Sequence, residues 1–120
     1  MGLLTTLDHV ASVISASGVP ADADTTKIVP PCAWVTPAST EVRTAGRTPR
    51  YRLEVYLIVR DTGYADSLSE LDRLLKQTLE AVHADPDMVV SGPIDLSSGV
   101  EVGKDVLPAF KLTLELEEQE

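Results

Sequence analysis

Two kinds of residue that build catalytic and metal sites are scarce in this chain. Cys32 is the only cysteine among 120 residues, so an intramolecular disulfide is impossible and no cysteines are spaced to hold zinc. Histidine occurs twice, at His9 and His83. Because a lone cysteine forms no disulfide within the chain, a reducing compartment is the expected environment. Aromatic residues make up only 4% of the chain, so the core must consist mainly of Leu, Val, Ile and Ala.

Long apolar runs and catalytic motifs are also missing. No uninterrupted run approaches the roughly 20 residues of a transmembrane helix, which predicts that no segment spans a membrane. The N-terminal stretch lacks a basic region and contains Asp8 and His9, which argues against a signal peptide. Glycine-rich nucleotide-binding motifs, the GxSxG nucleophile motif and the HExxH zinc motif do not occur. The sequence therefore predicts a protein that is not an enzyme and has no cofactor or metal.

Positive charge is in short supply as well. Ten Lys and Arg residues stand against 19 Asp and Glu residues, which gives a net charge of −9. A chain of this charge is poorly suited to grip nucleic-acid phosphates. It remains compatible with a protein past which DNA moves without binding.

Three polar groups are candidates for chemistry, and each has a simpler structural interpretation. The pattern places no histidine beside Cys32, which favours a buried, inert thiol. His83 and the two aspartates that follow it are a weak ligand set for a metal, and they favour the end of a helix. Asp22-x-Asp24 favours a turn over a calcium loop, which would need more oxygen ligands.

Helical periodicity marks two segments. Residues 3–16 carry apolar side chains at i, i+3, i+4 and i+7, and Gly18 and Pro20 end that helix. Residues 65–84 form a longer amphipathic helix, for which Ser67-x-x-Glu70 predicts a capping box. The predicted buried stripes are Leu3, Leu4, Leu7, Val10, Ala11 and Ile14 in the first helix, and Leu68, Leu71, Leu75, Leu79 or Thr78, and Val82 in the second.

Strand patterns lie between and after these helices, and the strongest covers residues 51–60. Its alternation predicts one face of Tyr51, Leu53, Val55, Leu57 and Val59 and another of Arg52, Glu54, Tyr56, Ile58 and Arg60. Because the second face is half apolar, another element or another subunit should pack there. Weaker patterns occupy residues 27–29, 32–36, 88–90, 100–102 and 106–117. The order predicts a single α+β domain over residues 1–120, a two-layer sandwich with a mostly antiparallel four- to five-stranded sheet and two helices on one face.

An irregular, polar connection is predicted for residues 37–50. It carries three of the six arginines, Arg43, Arg47 and Arg50. A loop of this length in a small domain indicates either function or disorder. As a functional arm it would project about 20 Å and pair its arginines with carboxylates of an acidic neighbour, for which a second copy of this chain qualifies. The alternative is a disordered surface loop whose arginines occur by chance.

The predicted interface combines this arm with the outward side chains of the following strand. Its residues are Arg43, Arg47, Arg50, Arg52, Glu54 and Tyr56.

The order of these segments resembles the tail terminator, or tail completion, proteins of long-tailed bacteriophages. The resemblance lies in a first helix ending at SGVP, a proline-flanked strand PPCAWVTP, the long polar loop, the strand and helix in YRLEVYLIVRDTGYADSLSELDRLLKQTLEAV, and a late strand in LPAFKLTLELE. It covers nearly the whole chain and rests on pattern, since it includes no diagnostic catalytic motif.

The resemblance implies an α+β subunit of a homo-hexameric ring. Such a ring caps the growing tail tube, ends its polymerisation and provides the surface that joins the head connector. The implied partners are further copies of the chain, the tail tube protein and the head–tail connector protein, with DNA passing through the lumen without specific binding. The implied location is the head-proximal end of the tail in the virion, after assembly in the host cytoplasm.

Two other functions fit the sequence. One is a small regulatory or ligand-binding α+β module, dimeric through an edge strand, for which Trp34 and Tyr56 are the best pocket residues. The other is a neighbouring ring protein of the head–tail connector.

Overall fold

The chain folds in two layers, an open six-stranded sheet with two helices packed against one of its faces. The computed structural model describes residues 3–24, 26, 29–41, 50–102 and 104–117. Its elements are α1 (Leu3–Ala16), β1 (Ala21–Asp22), β2 (Cys32–Glu41), β3 (Arg50–Ile58), α2 (Tyr64–Ala84), β4 (Val89–Val90), β5 (Asp95–Val102) and β6 (Asp105–Glu117). The predicted α+β class is confirmed, and the sheet has six strands in place of four or five.

The sheet is centred on three long antiparallel strands. Its order is β1-β2-β3-β6-β4, and β5 also pairs with β6, beside β4. The register sets Trp34 opposite Tyr56 and Leu53 opposite Leu114. Among the described strands, only β1 runs parallel to its neighbour, through two residues. Because β3 lies between β2 and β6, the strongest strand pattern in the sequence occupies the centre of the sheet.

One apolar core lies between the helices and the sheet. Both helices bury an apolar stripe against the side chains of Leu53, Val55 and Leu57 on β3 and against the alternate residues of β6. Phe110 is the one aromatic residue among the buried core side chains of the described chain, as the composition predicts. Leu4 was predicted to be buried but is 75% exposed, because it falls at the edge of the α1 stripe. Among the described helices, none is both long enough and apolar enough to cross a membrane.

The start of α2 differs from the predicted capping box. Gly63 occupies the N-cap position with φ 104°, a conformation that favours glycine, and no side chain caps the helix there. The hydroxyl of Ser67 accepts the Thr62 amide at 3.1 Å and donates to the Arg60 carbonyl at 3.4 Å. Ser67 is therefore buried as the closure of the turn before α2, and Glu70 remains on the outer side of the helix.

The second strand is longer than predicted. We expected it to end at Thr36, but β2 continues to Glu41 and pairs with β3 as far as Arg50. The predicted irregular loop is therefore wrong for residues 37–41 and for Arg50, and residues 42–49 lie outside the described residues. The polar sequence PASTE lacks an apolar strand signal, and it is the backbone pairing with β3 that holds it extended.

The outer edge of β2 is shaped by a proline and a bulge. The strand β1 covers this edge only at Ala33 and Trp34, and the Ala33 amide donates outward to the Pro20 carbonyl at 2.7 Å. Alternation places the nitrogen of Pro37, which carries no hydrogen, on the same edge. A register shift follows between Pro37 and Ser39.

Two weaker strand predictions have different outcomes. The strand predicted at residues 100–102 is too short, since β5 extends from Asp95 to Val102. Its polar, glycine-containing sequence has low strand propensity, and pairing with β6 forms the strand. The strand predicted at residues 27–29 falls on positions of which 27 and 28 lie outside the described residues.

Thr78 should be a site where a single substitution stabilises the protein. Its side chain is fully buried on α2, and its Oγ1 has no hydrogen-bond partner among the described residues. Thr78→Val removes the unpaired hydroxyl at nearly constant volume, so we expect the free energy of unfolding to rise by about 1 kcal/mol. Denaturant unfolding measures the change. Thr6→Val is the matched control, because Thr6 is equally buried but has an interaction partner. Equal effects of the two substitutions would contradict the prediction.

Candidate assembly interface

The sheet face opposite the helices brings together four of the six predicted interface residues. Arg50, Arg52, Glu54 and Tyr56 alternate along β3 with the core residues, so all four belong to this face. Trp34 of β2 and Lys111 and Glu115 of β6 lie beside them by register. We call the surface formed by these seven residues the helix-free face. Arg43 and Arg47 lie outside the described residues.

A second, smaller apolar cluster borders one end of the helix-free face. Its buried residues are Cys32, Ile58, Val100 and Ala109, with Trp34, Tyr56 and Leu107 packed against them. Val100 comes from β5, so the element that packs on the half-apolar face of β3 is a strand of the same chain. No described helix residue belongs to this cluster.

An aromatic pair lies between this cluster and the charged part of the face. The rings of Trp34 and Tyr56 are stacked with centroids 5.4 Å apart and an angle of 25° between their planes. The Tyr56 hydroxyl donates to Glu54 at 3.3 Å. Burial, followed by the nearby Glu54 carboxylate, raises the pKa of Tyr56. Each ring therefore covers the other, and the pair forms a half-buried platform.

The charged side chains of the face are paired within the chain. Glu115 accepts hydrogen bonds from Arg50 Nε at 3.3 Å and from Arg52 Nη2 at 3.2 Å. Hydrogen bonds from Ser91, Arg50 and Arg52 hold the pKa of Glu115 below its ordinary value. Lys111 Nζ lies 3.6 Å from Glu54 Oε2. Arg50, Arg52 and Glu54 on β3 therefore each have an opposite charge beside them on β6, and a surface of mixed charge is suited to a partner that is also of mixed charge.

Arg50 and Arg52 differ in what they can still offer to a partner. The Arg50 side chain is 26% exposed, and its Nε is engaged by Glu115. The Arg52 side chain is 53% exposed and bonds Glu115 through one terminal nitrogen of a guanidinium that has five N–H donors in all. The structure thus assigns Arg50 to β3 and to an intramolecular ion pair, whereas it was predicted to belong to the arm.

Two other chemically reactive groups, Cys32 and His9, are engaged in the fold. Cys32 is 2% exposed, and burial raises the pKa of its thiol to about 11. The thiol is therefore protonated at neutral pH and is a poor nucleophile, which confirms the prediction of a buried cysteine. His9 Nε2 lies 3.0 Å from Asp85 Oδ2 and links α1 to the end of α2. Within the described residues, no three His, Cys, Asp or Glu side chains are grouped to hold a metal ion.

Sequence reasoning found the β3 part of this face and missed the β6 part. The alternation of residues 106–117 already put Lys111 and Glu115 on one side of their strand. Only the register shows that this side is continuous with Arg52 and Glu54. No protein-family model matches the chain, and no curated protein matches it in sequence.

Proposed function

We propose that this chain is a structural virion protein that forms a hexameric ring on the end of a phage tail tube. The ring ends tube polymerisation and provides the surface for joining the head. Its partners are further copies of the chain, the tail tube protein and the head–tail connector protein. It acts at the head-proximal end of the tail, after assembly in the host cytoplasm.

The observation that supports this proposal most strongly is the contrast between the two faces of β3, together with the arginines in the connection from β2 to β3. One side of β3 is committed to the core, with Leu53, Val55 and Leu57 fully buried. Its other side presents an aromatic platform and oppositely charged pairs between β3 and β6, without a helix over them. The connection between the two strands carries Arg43 and Arg47. A subunit built to contact several neighbours needs surfaces of this kind, with aromatic and arginine side chains that bind well to other proteins.

The charge of the chain supports the proposed passage of DNA. Six copies of a chain with a net charge of −9 carry a formal charge of −54. Acidic side chains around a lumen repel the phosphate backbone, and DNA therefore passes without the counterion release that drives binding. A ring with a strongly basic bore would contradict this part of the proposal.

A ligand-binding module is the second candidate, because the structure contains a groove of suitable size. The groove lies between the start of α2 and the β5–β6 hairpin and has a volume of about 500 Å³. This is within the range of small-molecule sites. Trp34 and Tyr56, the predicted pocket residues, are instead stacked on each other.

Assembly on tubes distinguishes the two functions. The purified chain is added to growing tubes of the tail tube protein from the same phage, and samples are examined by electron microscopy. We expect tubes to stop lengthening and to carry a sixfold ring at one end. An unrelated acidic protein of similar size is the control. A chain that stays monomeric or dimeric while the tubes lengthen normally would overturn the proposal and favour the ligand-binding module.

A further inference from the structure

The groove beside α2 gathers an unusual share of the exposed apolar surface of the described chain. Tyr64 is 84% exposed, Val106 is 68% exposed and Leu96 is 56% exposed, and all three line this groove. Its remaining walls come from the first turns of α2, from residues 96–99 of β5 and from residues 106–109 of β6. Large apolar side chains that cluster at a concave surface indicate a binding site.

The chain segments that form the groove are acidic in sequence. The segments 60–68 and 95–109 together contain five carboxylates, Asp61, Asp66, Asp95, Glu101 and Asp105. They contain two cations, Arg60 and Lys104. The two segments therefore carry an excess of three negative charges, and of the five carboxylates Asp61 lines the groove itself. The occupant that fits this surface is a short segment with arginines and small apolar residues.

The chain contains one such segment. Residues 42–49, VRTAGRTP, carry Arg43 and Arg47 and no acidic residue. An arginine guanidinium pairs with a carboxylate such as Asp61 in a bidentate manner and stacks on an exposed ring such as Tyr64. Its aliphatic stem covers apolar side chains such as Leu96.

This segment cannot reach the groove of its own subunit. It connects Glu41 and Arg50 at one end of β3, whereas the groove begins at Asp61, beyond the other end of that strand. Ile58 lies eight residues after Arg50 along β3, which corresponds to a distance of about 26 Å. Because Glu41 and Arg50 are paired neighbours, the nine Cα–Cα steps between them must lead out and back, and the connection extends about 16 Å at most. The occupant must therefore come from a second copy of the chain.

We infer that the groove between α2 and the β5–β6 hairpin receives residues 42–49 of a neighbouring copy. This inference deepens the proposed function and rests on it for the number of copies in the ring. Where each copy places residues 42–49 in the groove of the next copy and receives the same segment from a third, the contact is head-to-tail. Contacts of that type generate closed rings or open filaments, whereas a self-complementary patch generates a dimer.

Complementary variants test the head-to-tail contact. The arm variant combines Arg43→Ser with Arg47→Ser, and the groove variant is Leu96→Lys. We expect each alone to remain at 12.9 kDa in sedimentation experiments at concentrations where the wild-type chain assembles. An equimolar mixture retains one intact arm and one intact groove, so it should form a dimer of twice that mass and no ring. Leu4→Lys is the matched control, since Leu4 is 75% exposed on α1 and should assemble normally.

A cross-linking experiment gives a second readout that does not depend on the charge substitutions. A chain carrying Ala45→Cys is mixed with one carrying Leu96→Cys under mild oxidation, while the native Cys32 stays buried. We expect a disulfide between the two copies, and none when Ser12→Cys on α1 replaces Leu96→Cys. Wild-type assembly by the groove variant, a mixture that stays monomeric, or the absence of the cross-link would overturn the inference.

The outcomes separate this inference from the proposed function. If the wild-type chain and the groove variant both cap tubes, the groove contact is wrong and the terminator function stands. If the arm and groove variants pair but the wild-type chain never caps tubes, the contact stands and the terminator function is wrong.

Discussion

Replacing Arg43 and Arg47 with serine should abolish assembly, whereas Arg50→Ser alone should weaken it much less. The two residues of the arm are proposed to pair with a neighbouring subunit, but Arg50 is bonded to Glu115 of its own chain at 3.3 Å. Truncating one member of a desolvated interfacial charge pair costs about 2–5 kcal/mol. Losing two such pairs therefore weakens each subunit contact by roughly a thousandfold or more. Sedimentation and tube capping measure the loss, and circular dichroism should show an unchanged fold.

The matched control removes the same charge from a different surface. Arg73 and Lys76 lie on the outer side of α2, where they form exposed pairs with Glu70 at 4.0 Å and Asp72 at 3.0 Å. Exposed pairs contribute about 0–1 kcal/mol, so Arg73→Ser with Lys76→Ser should leave both fold and assembly nearly intact. If this control lost assembly as fully as the arm variant, net charge and not the arm would be responsible. If the arm variant assembled normally, residues 42–49 would be a passive connection.

Leu112→Ala should destabilise the subunit more than any single substitution on its surface. Leu112 is fully buried, lies opposite Val55 at the centre of the sheet and contacts the apolar stripes of the helices. Truncation to alanine removes buried surface and leaves a cavity, so we expect the free energy of unfolding to fall by about 2–5 kcal/mol. For a domain of this size that is a large part of the total stability. Chemical denaturation measures the change.

The control for this substitution is another leucine. Leu4→Ala removes the same atoms from a side chain that is 75% exposed, so the free energy of unfolding should change by less than about 0.5 kcal/mol. Similar losses at Leu112 and Leu4 would show that the apolar layer between sheet and helices is not the main source of stability.

The elements with strong periodicity could be predicted from the sequence, because their patterns coincide with their packing. α1 begins and ends where the i, i+3, i+4 pattern does, and the alternation of β3 places Leu53 and Val55 inside and Arg52 and Glu54 outside. The extension of β2 and the start of β5 could not be predicted in the same way. Their residues are mostly polar, and they are held by hydrogen bonds to neighbouring strands that leave no trace in local composition.

From the sequence alone, only the part of the candidate interface that lies on β3 could be predicted. Alternation was enough to group Arg52, Glu54 and Tyr56 on one face. The pairing of Arg52 with Glu115, 63 positions later in the chain, depends on a register that the sequence does not encode locally. The groove was missed for the same reason. Its exposed residues Tyr64, Leu96 and Val106 belong to three separate elements, and each alone resembles an ordinary surface side chain.

The proline and bulge on the outer edge of β2 bear on whether free copies of the chain aggregate through their strands. An uncovered strand edge is a template on which further strands can stack without limit, which is how cross-β aggregates grow. Pro37 removes a donor from that edge, and the register shift before Ser39 breaks its regular spacing. The outer edge of β2 is therefore a poor template for another copy of the chain to extend the sheet strand by strand.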